Sequence, residues 1–260
     1  YRYVHLGTGN YNDSTAKIYT DLSLFTCKEP YGTDASSLFN VLTGYSRPPQ
    51  YRKFEVAPHG LRDFFVQMIE REIDHAKQNL PCGITMKVNS LVDPEMIALL
   101  YRASCCGVKI QLIVRGICCL IPGVPGVSEL ISVHSIVGQL LEHSRIYRFE
   151  NAGDPCIFMG SADLMQRNLD HRVELVVPIE EHDLKERAFA ILQTLLDDTL
   201  NTRVMLSDTV YSQIDMRSHA PFDAQHAFCV SAKQAVEQLK ALDDLKPYTP
   251  IRRADLDKMR

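Results

Sequence analysis

What the sequence lacks narrows its class first. No stretch approaches the roughly 18 uninterrupted apolar residues of a membrane-crossing helix, and no signal peptide opens the chain, so no membrane span is expected. There is no CxxC and no His/Cys cluster at zinc spacing; the eight cysteines include the adjacent pairs Cys105-Cys106 and Cys118-Cys119 in apolar surroundings. These read as reduced, mostly buried thiols of a cytoplasmic protein. An excess of positive charge is missing too: the formal net charge is -4, which excludes bulk coating of nucleic acid and makes any anion site a local one. An initiator Met is also absent, and Tyr1 to Leu6 reads as a strand already under way, the mark of a piece of a longer chain.

What is present is a globular composition, 45% apolar and 23% charged over 260 residues, enough for one large or two modest domains. The pattern alternates strand and helix. Strands are expected at residues 2–6, 21–25, 84–88, 108–114 and from Glu174. Helices are expected at 34–42, from Gly60 through Ala76, from Asp93-Pro94 to Gly107, at 135–142 and at 183–203. Asp93-Pro94 is an acidic N-cap followed by proline at the first helical position. The run 108–114, VKIQLIV, is the nearly continuous apolar strand of a sheet covered on both faces, so strand, helix, strand forms a βαβ unit. YSRPPQ at 45–50 reads as a connection between domains. Past about residue 206 the pattern fades to one further helix at 232–242 and a solvated tail at 251–260.

The chain also resembles itself. Gly7-Thr8-Gly9-Asn10 matches Gly160-Ser161-Ala162-Asp163, and each glycine is followed 14 positions later by an acid, Asp21 or Glu174, that opens an apolar strand. The second copy has His143 and Arg145 upstream of its glycine loop, whereas the first has no upstream counterpart.

His143 and Arg145 stand two residues apart in a strand-like segment, so both side chains can reach one bound anion. An imidazole with a reference pKa of about 6.5 can exchange protons or carry a phosphoryl group near neutrality. Arg145 either pairs with Glu142 or Glu150 or holds a phosphate bidentately. Ser161 and Asp163 can hold an imidazole or a phosphate oxygen. Arg115 ends an apolar strand, where open α/β sheets collect ligands and a guanidinium must find water or an anion. Tyr19 is open between a core position and a platform for a base. His59, His75 and His182 sit in polar helical contexts and receive no role.

The runs RYVHLGTGNYNDSTAKIYTD (2–21), FNVLTGYSRPPQYRK (39–53), NSLVDPEMI (89–97), LIVRGICCLIPGVPG (112–126), SIVGQLLEHSRIYRFENAGDP (135–155) and GSADLMQRNLDHRVE (160–174) resemble the C-terminal part of the first polyphosphate kinase family. The resemblance covers residues 1 to about 206. It implies a phospholipase-D-like α/β fold, with mixed or parallel sheets flanked by helices in two related domains, the first truncated. The domains would be 1–50 (the end of the first), 51–206 (the second) and 207–260 (an extension). It further implies reversible transfer of the terminal phosphate of ATP to inorganic polyphosphate through a phosphohistidine lying upstream of Tyr1. Tyr19, Arg115, His143 and Arg145 would contact nucleotide or phosphate, with His143 the catalytic residue of this segment. Magnesium would arrive with ATP. The implied partners are ATP, ADP and polyphosphate, with no nucleic acid, and the full-length enzyme would be a homo-oligomer. A phospholipase D-type phosphodiesterase or nuclease is the rival, but its usual lysine two after the histidine and asparagine closing the glycine loop are here Arg145 and Asp163. An inactive nucleotide- or polyphosphate-binding fragment is the other.

Overall fold

A computed structural model describes residues 2–242. In chain order the elements are β1 (Val4–Gly7), β2 (Tyr19–Thr20), β3 (Ser23–Thr26), α1 (Glu29–Leu42), β4 (Glu55–Ala57), α2 (Leu61–Lys77) and β5 (Gly83–Val88). Then come α3 (Pro94–Cys105), β6 (Lys109–Val114), β7 (Ile131–Ile136), β8 (Leu141–Glu142), β9 (Arg145–Phe149), β10 (Cys156–Gly160) and α4 (Gln166–Asp170). β11 (Glu174–Ile179), α5 (His182–Leu196), β12 (Thr202–Met205), β13 (Tyr211–Gln213) and α6 (Ala224–Leu242) complete the series. Residues 2–223 form one compact unit, and α6 belongs to a second, which begins at Ala224.

The expected mixed sheet flanked by helices is what forms. Nine strands run in the order β13-β12-β7-β6-β5-β9-β10-β11-β4. β5, β6 and β7 are parallel neighbours at its heart, while β9, β10, β11 and β4 extend it antiparallel. β6 is buried along most of its length, as its apolar run requires. α3 joins β5 to β6 and starts where expected: the Asp93 carboxylate accepts the Met96 N–H at 3.0 Å, and Gly107, at φ 97°, follows the last turn. α2 buries Leu61, Phe65, Ile69 and Ile73 in the same core as Met86, Leu112 and Tyr147. α5 packs on β9 and β10 and buries Ala188, Leu192 and Leu195.

Several boundaries differ from the sequence reading. No helix spans 135–142: the chain stays extended to Ile136 in β7, bends through 137–140 and forms β8. Ile136, Leu140 and Leu141 have helical spacing, but Ile131, Val133 and Ser135 alternate inward, and Gly138 separates the two patterns. α5 ends at Leu196, not at 203, because the Asp198 carboxylate collects the N–H groups of Asn201 (2.7 Å) and Thr202 (2.9 Å). The turn so made sends residues 202–205 into the sheet against β7. α1 begins at Glu29, with proline in its first turn, and α6 begins at Ala224. The tail at 251–260 lies outside the described residues.

The cysteines are not mostly buried. Cys27, Cys105, Cys119 and Cys229 are exposed and the other four half-buried, all as free thiols. Burial pushes the Cys118 thiol up to about 11, with a smaller contribution from Cys119.

Candidate active site

The N-terminal segment reaches the second half of the chain through a short parallel pair. β2 lies beside β8 with Tyr19 opposite Leu141 and Thr20 opposite Glu142, and the His143 N–H donates to Thr20 O at 3.2 Å. That pairing sets Asp21 against His143: Nδ1 lies 3.0 and 3.1 Å from the two carboxylate oxygens. A carboxylate only accepts, so Nδ1 carries the hydrogen and Nε2 is the ring's acceptor nitrogen. The Tyr19 ring rests against the imidazole, with centroids 4.6 Å apart.

Arg145 is close to His143, as the two-residue spacing implied, but its bonds run inward. Nη2 donates to Asp163 at 3.0 Å, Nη1 to the His143 carbonyl at 2.7 Å, and Nη1 lies 3.0 Å from Nε2 of His143. Neither Glu142 nor Glu150 is its partner: Glu142 faces Lys87, and Glu150 pairs with Arg148. Asp163 does not wait for an imidazole or a phosphate either. It also accepts the N–H groups of Asn89 (2.6 Å) and Ser90 (3.2 Å), tying the glycine loop to the end of β5. Ser161 is spent on Glu174, which takes Asn168 as well.

Arg115 sits at the carboxyl end of β6, and its Nε donates to Asn89 at 2.8 Å. Nη1 and Nη2 have no protein acceptor among the described residues. It lines a cavity of about 350 Å³ with Ile18 and residues 136–141, so Leu141 of β8 is part of that wall. The imidazole is not in the lining. His143, Arg145 and Tyr19 are thus in one cluster, and Arg115 reaches it through Asn89, whose N–H donates to the Asp163 carboxylate that holds Arg145.

The internal repeat is a structural one. In the first copy Thr8 donates its N–H to Leu22 O (3.0 Å), its hydroxyl bonds Asp21 (2.8 Å), and the hydroxyl accepts Leu22 N–H (2.9 Å). In the second, Ser161 does the same with Leu175 O (2.9 Å), Glu174 and Leu175 N–H (3.2 Å). Gly7 pairs with Ser23 and Gly160 with Val176, the same register. Gly160 has no room for more: a Cβ there would lie 2.3 Å from Leu175 O.

Sequence reasoning passed over Asp21 as a partner for His143. The repeat marked both acids, but nothing in one dimension shows that an acid of the first copy meets the histidine of the second. Buried Lys87 was missed too, and buried Glu142 was read as a possible partner of Arg145, not of Lys87.

A mixed α/β unit that carries two copies of one hydroxyl-to-acid hairpin, the acid of the first paired with a histidine ahead of the second, defines a duplicated α/β fold built around a histidine–carboxylate pair. The chain belongs to the polyphosphate kinase family: the model of polyphosphate kinase C-terminal domain 2 matches residues 54–225, and that of C-terminal domain 1 matches residues 1–48. A polyphosphate kinase of Lactiplantibacillus plantarum is 50% identical over 236 residues, which cover 91% of this chain and 33% of that protein. One from Synechocystis sp. is 51% identical over 237 residues, 91% of this chain and 32% of the relative. The crystal structure of polyphosphate kinase from Porphyromonas gingivalis superposes with a TM-score of 0.86 at 36% identity, covering 91% of this chain and 36% of that one. The chain therefore spans about a third of the length of the curated relatives it matches.

Proposed function

We propose that this chain carries the C-terminal part of a phosphotransferase that moves the terminal phosphate of ATP reversibly to inorganic polyphosphate. The pairing of Asp21 with His143 across the two repeats is the observation that carries the reading. Phosphoryl transfer asks chiefly for charge neutralisation and in-line placement. With Nδ1–H bound to Asp21, Nε2 delivers or accepts a proton at the bridging oxygen. Arg145, anchored by Asp163, sets its cation beside Nε2 and so beside the oxygen that His143 serves. Arg115 uses Nη1 and Nη2 on the phosphate tail, and Tyr19 offers the ring face turned from His143 to adenine.

The covalent phosphohistidine of this reading lies upstream of Tyr1, so the 260 residues alone are expected to make no polymer. Magnesium enters with ATP in this reading; among the described residues Asp21, Glu142 and Asp163 are engaged by His143, Lys87 and Arg145. ATP, ADP and polyphosphate are then the partners, in a cytoplasmic homo-oligomer with no call for nucleic acid. No helix of the described residues is long and apolar enough to cross a membrane.

In the full-length enzyme, His143→Gln is expected to lower kcat for polymer synthesis from ATP by at least 100-fold. His75→Ala, on α2 and away from the cluster, should stay within about threefold. Equal losses would remove His143 from the site. Hydrolysis of a phosphodiester by the wild-type enzyme, without polymer formation from ATP, would select the phosphodiesterase reading instead.

A further inference from the structure

Beneath the cluster lies a charge pair that the transfer chemistry does not use. Lys87 of β5 is almost fully buried, and its neighbours across the sheet are Ile113 and Ile146. Its ammonium donates to the Ser144 carbonyl (3.0 Å) and hydroxyl (2.8 Å) and lies 3.4 Å from Glu142, so its partners bracket His143 on both sides. The same Glu142 oxygen accepts the Thr20 hydroxyl at 3.0 Å. Thr20 immediately precedes Asp21, which holds Nδ1 of His143. The circuit closes: Lys87 to Glu142, Glu142 to Thr20, Thr20 to Asp21 along the chain, Asp21 to His143, and His143 back through Ser144 to Lys87.

A buried ion pair is weak evidence of stability, because an apolar pair of similar volume serves the fold as well or better. Burial pulls the Lys87 ammonium down to about 8, against the opposing pull of Glu142, so the pair persists at some cost to the ammonium. What an apolar pair cannot do is direct three donors at the segment holding the imidazole while its partner grips the strand holding the carboxylate.

We propose that Lys87 and Glu142 are positioning residues that fix the Asp21 carboxylate against Nδ1 of His143, joining the two repeats from below. The proposal rests on the phosphotransferase reading for its kinetic effect but not for its structural one.

The test is Lys87→Met in the full-length enzyme, read by steady-state kinetics and by proton NMR of the 15N-histidine-labelled protein. A carboxylate-bonded Nδ1–H gives a low-field resonance, assigned to His143 by its loss in His143→Gln. The expected result is a folded variant with kcat lowered at least 30-fold, KM for ATP within threefold of wild type, and the low-field resonance gone. A folded variant that keeps the resonance, or keeps kcat within threefold, overturns the proposal. Should Lys87→Met not fold, Lys87→Met/Glu142→Leu removes both charges and is read the same way. Failure of that variant as well would assign the pair to stability alone and overturn the proposal. Should wild-type enzyme make no polymer from ATP, the phosphotransferase reading falls, and the resonance in the variants decides the positioning claim by itself.

Discussion

Gly9 has no side chain where Asp21 has one: a Cβ on Gly9 would lie 2.1 Å from the Asp21 carboxylate. Any larger residue must push that carboxylate, and Asp21 is what orients the imidazole. Gly7, two positions earlier, would place its Cβ 3.8 Å from the nearest atom, an ordinary contact. Gly9→Ala is therefore expected to lower kcat about tenfold or more with a small change in Tm, while Gly7→Ala stays within about twofold. Parallel activity assays and thermal melts of the two variants check it, and equal losses would mean that Asp21 is not what Gly9 makes room for. The spacing Gly-x-Gly was visible in the sequence. Its reason was not, because the acid it accommodates is 12 residues away and reaches it only through the hairpin register.

At the level of elements, α3 shows a local signal and a distant one at a single residue. Asp93 was legible as an N-cap, but it also binds Arg62 of α2 through both oxygens, and Arg62 goes on to Asp170 at the end of α4. Burial alone would raise the Asp93 carboxyl. The Arg62 guanidinium and the Met96 N–H outweigh it and hold the group below the usual carboxylate range. A carboxyl depressed on folding stabilises above its unfolded value of about 3.9 and loses that contribution as pH falls through the lower folded value. Asp93→Ala should cost about 2 to 4 kcal/mol at pH 7, and the gap to wild type should narrow below pH 4. Urea melts at pH 7 and pH 3 measure both, and a gap independent of pH would deny the charge its part. Elements that announce themselves by caps or unbroken apolar runs, such as α2, α3, β5 and β6, were legible. β7, β8 and the end of α5 were not, because each is decided by a partner strand or a turn whose bonds come from outside the segment. The candidate site divides likewise: His143 and Arg145 could be paired from their spacing, while the partners Asp21, Lys87 and Glu142 lie on other elements.

Across the whole of residues 2–223, the N-terminal segment is stitched to the rest at several points. Tyr31 of α1 donates to Pro178 O at 2.9 Å, Lys53 pairs with Glu180, and the buried Asp34 carboxylate collects the N–H groups of Arg52 (2.9 Å), Lys53 (2.6 Å) and Phe54 (3.1 Å). Asp34 thus closes the loop that leaves α1 and returns through the proline-containing stretch 45–50. Asp34→Ala leaves three backbone donors unsatisfied and is expected to cost about 2 to 4 kcal/mol. It should also speed proteolytic nicking between residues 43 and 52 several-fold. Limited proteolysis with mass mapping checks this, and cleavage at the wild-type rate would show that the loop is held by other means. That the carboxylate belongs to the first copy of the hairpin while the imidazole stands ahead of the second has a consequence for a chain still being made. A polypeptide that has emerged only as far as the first copy owns the acid without its base, so the pair is completed in a single step, when the two halves dock.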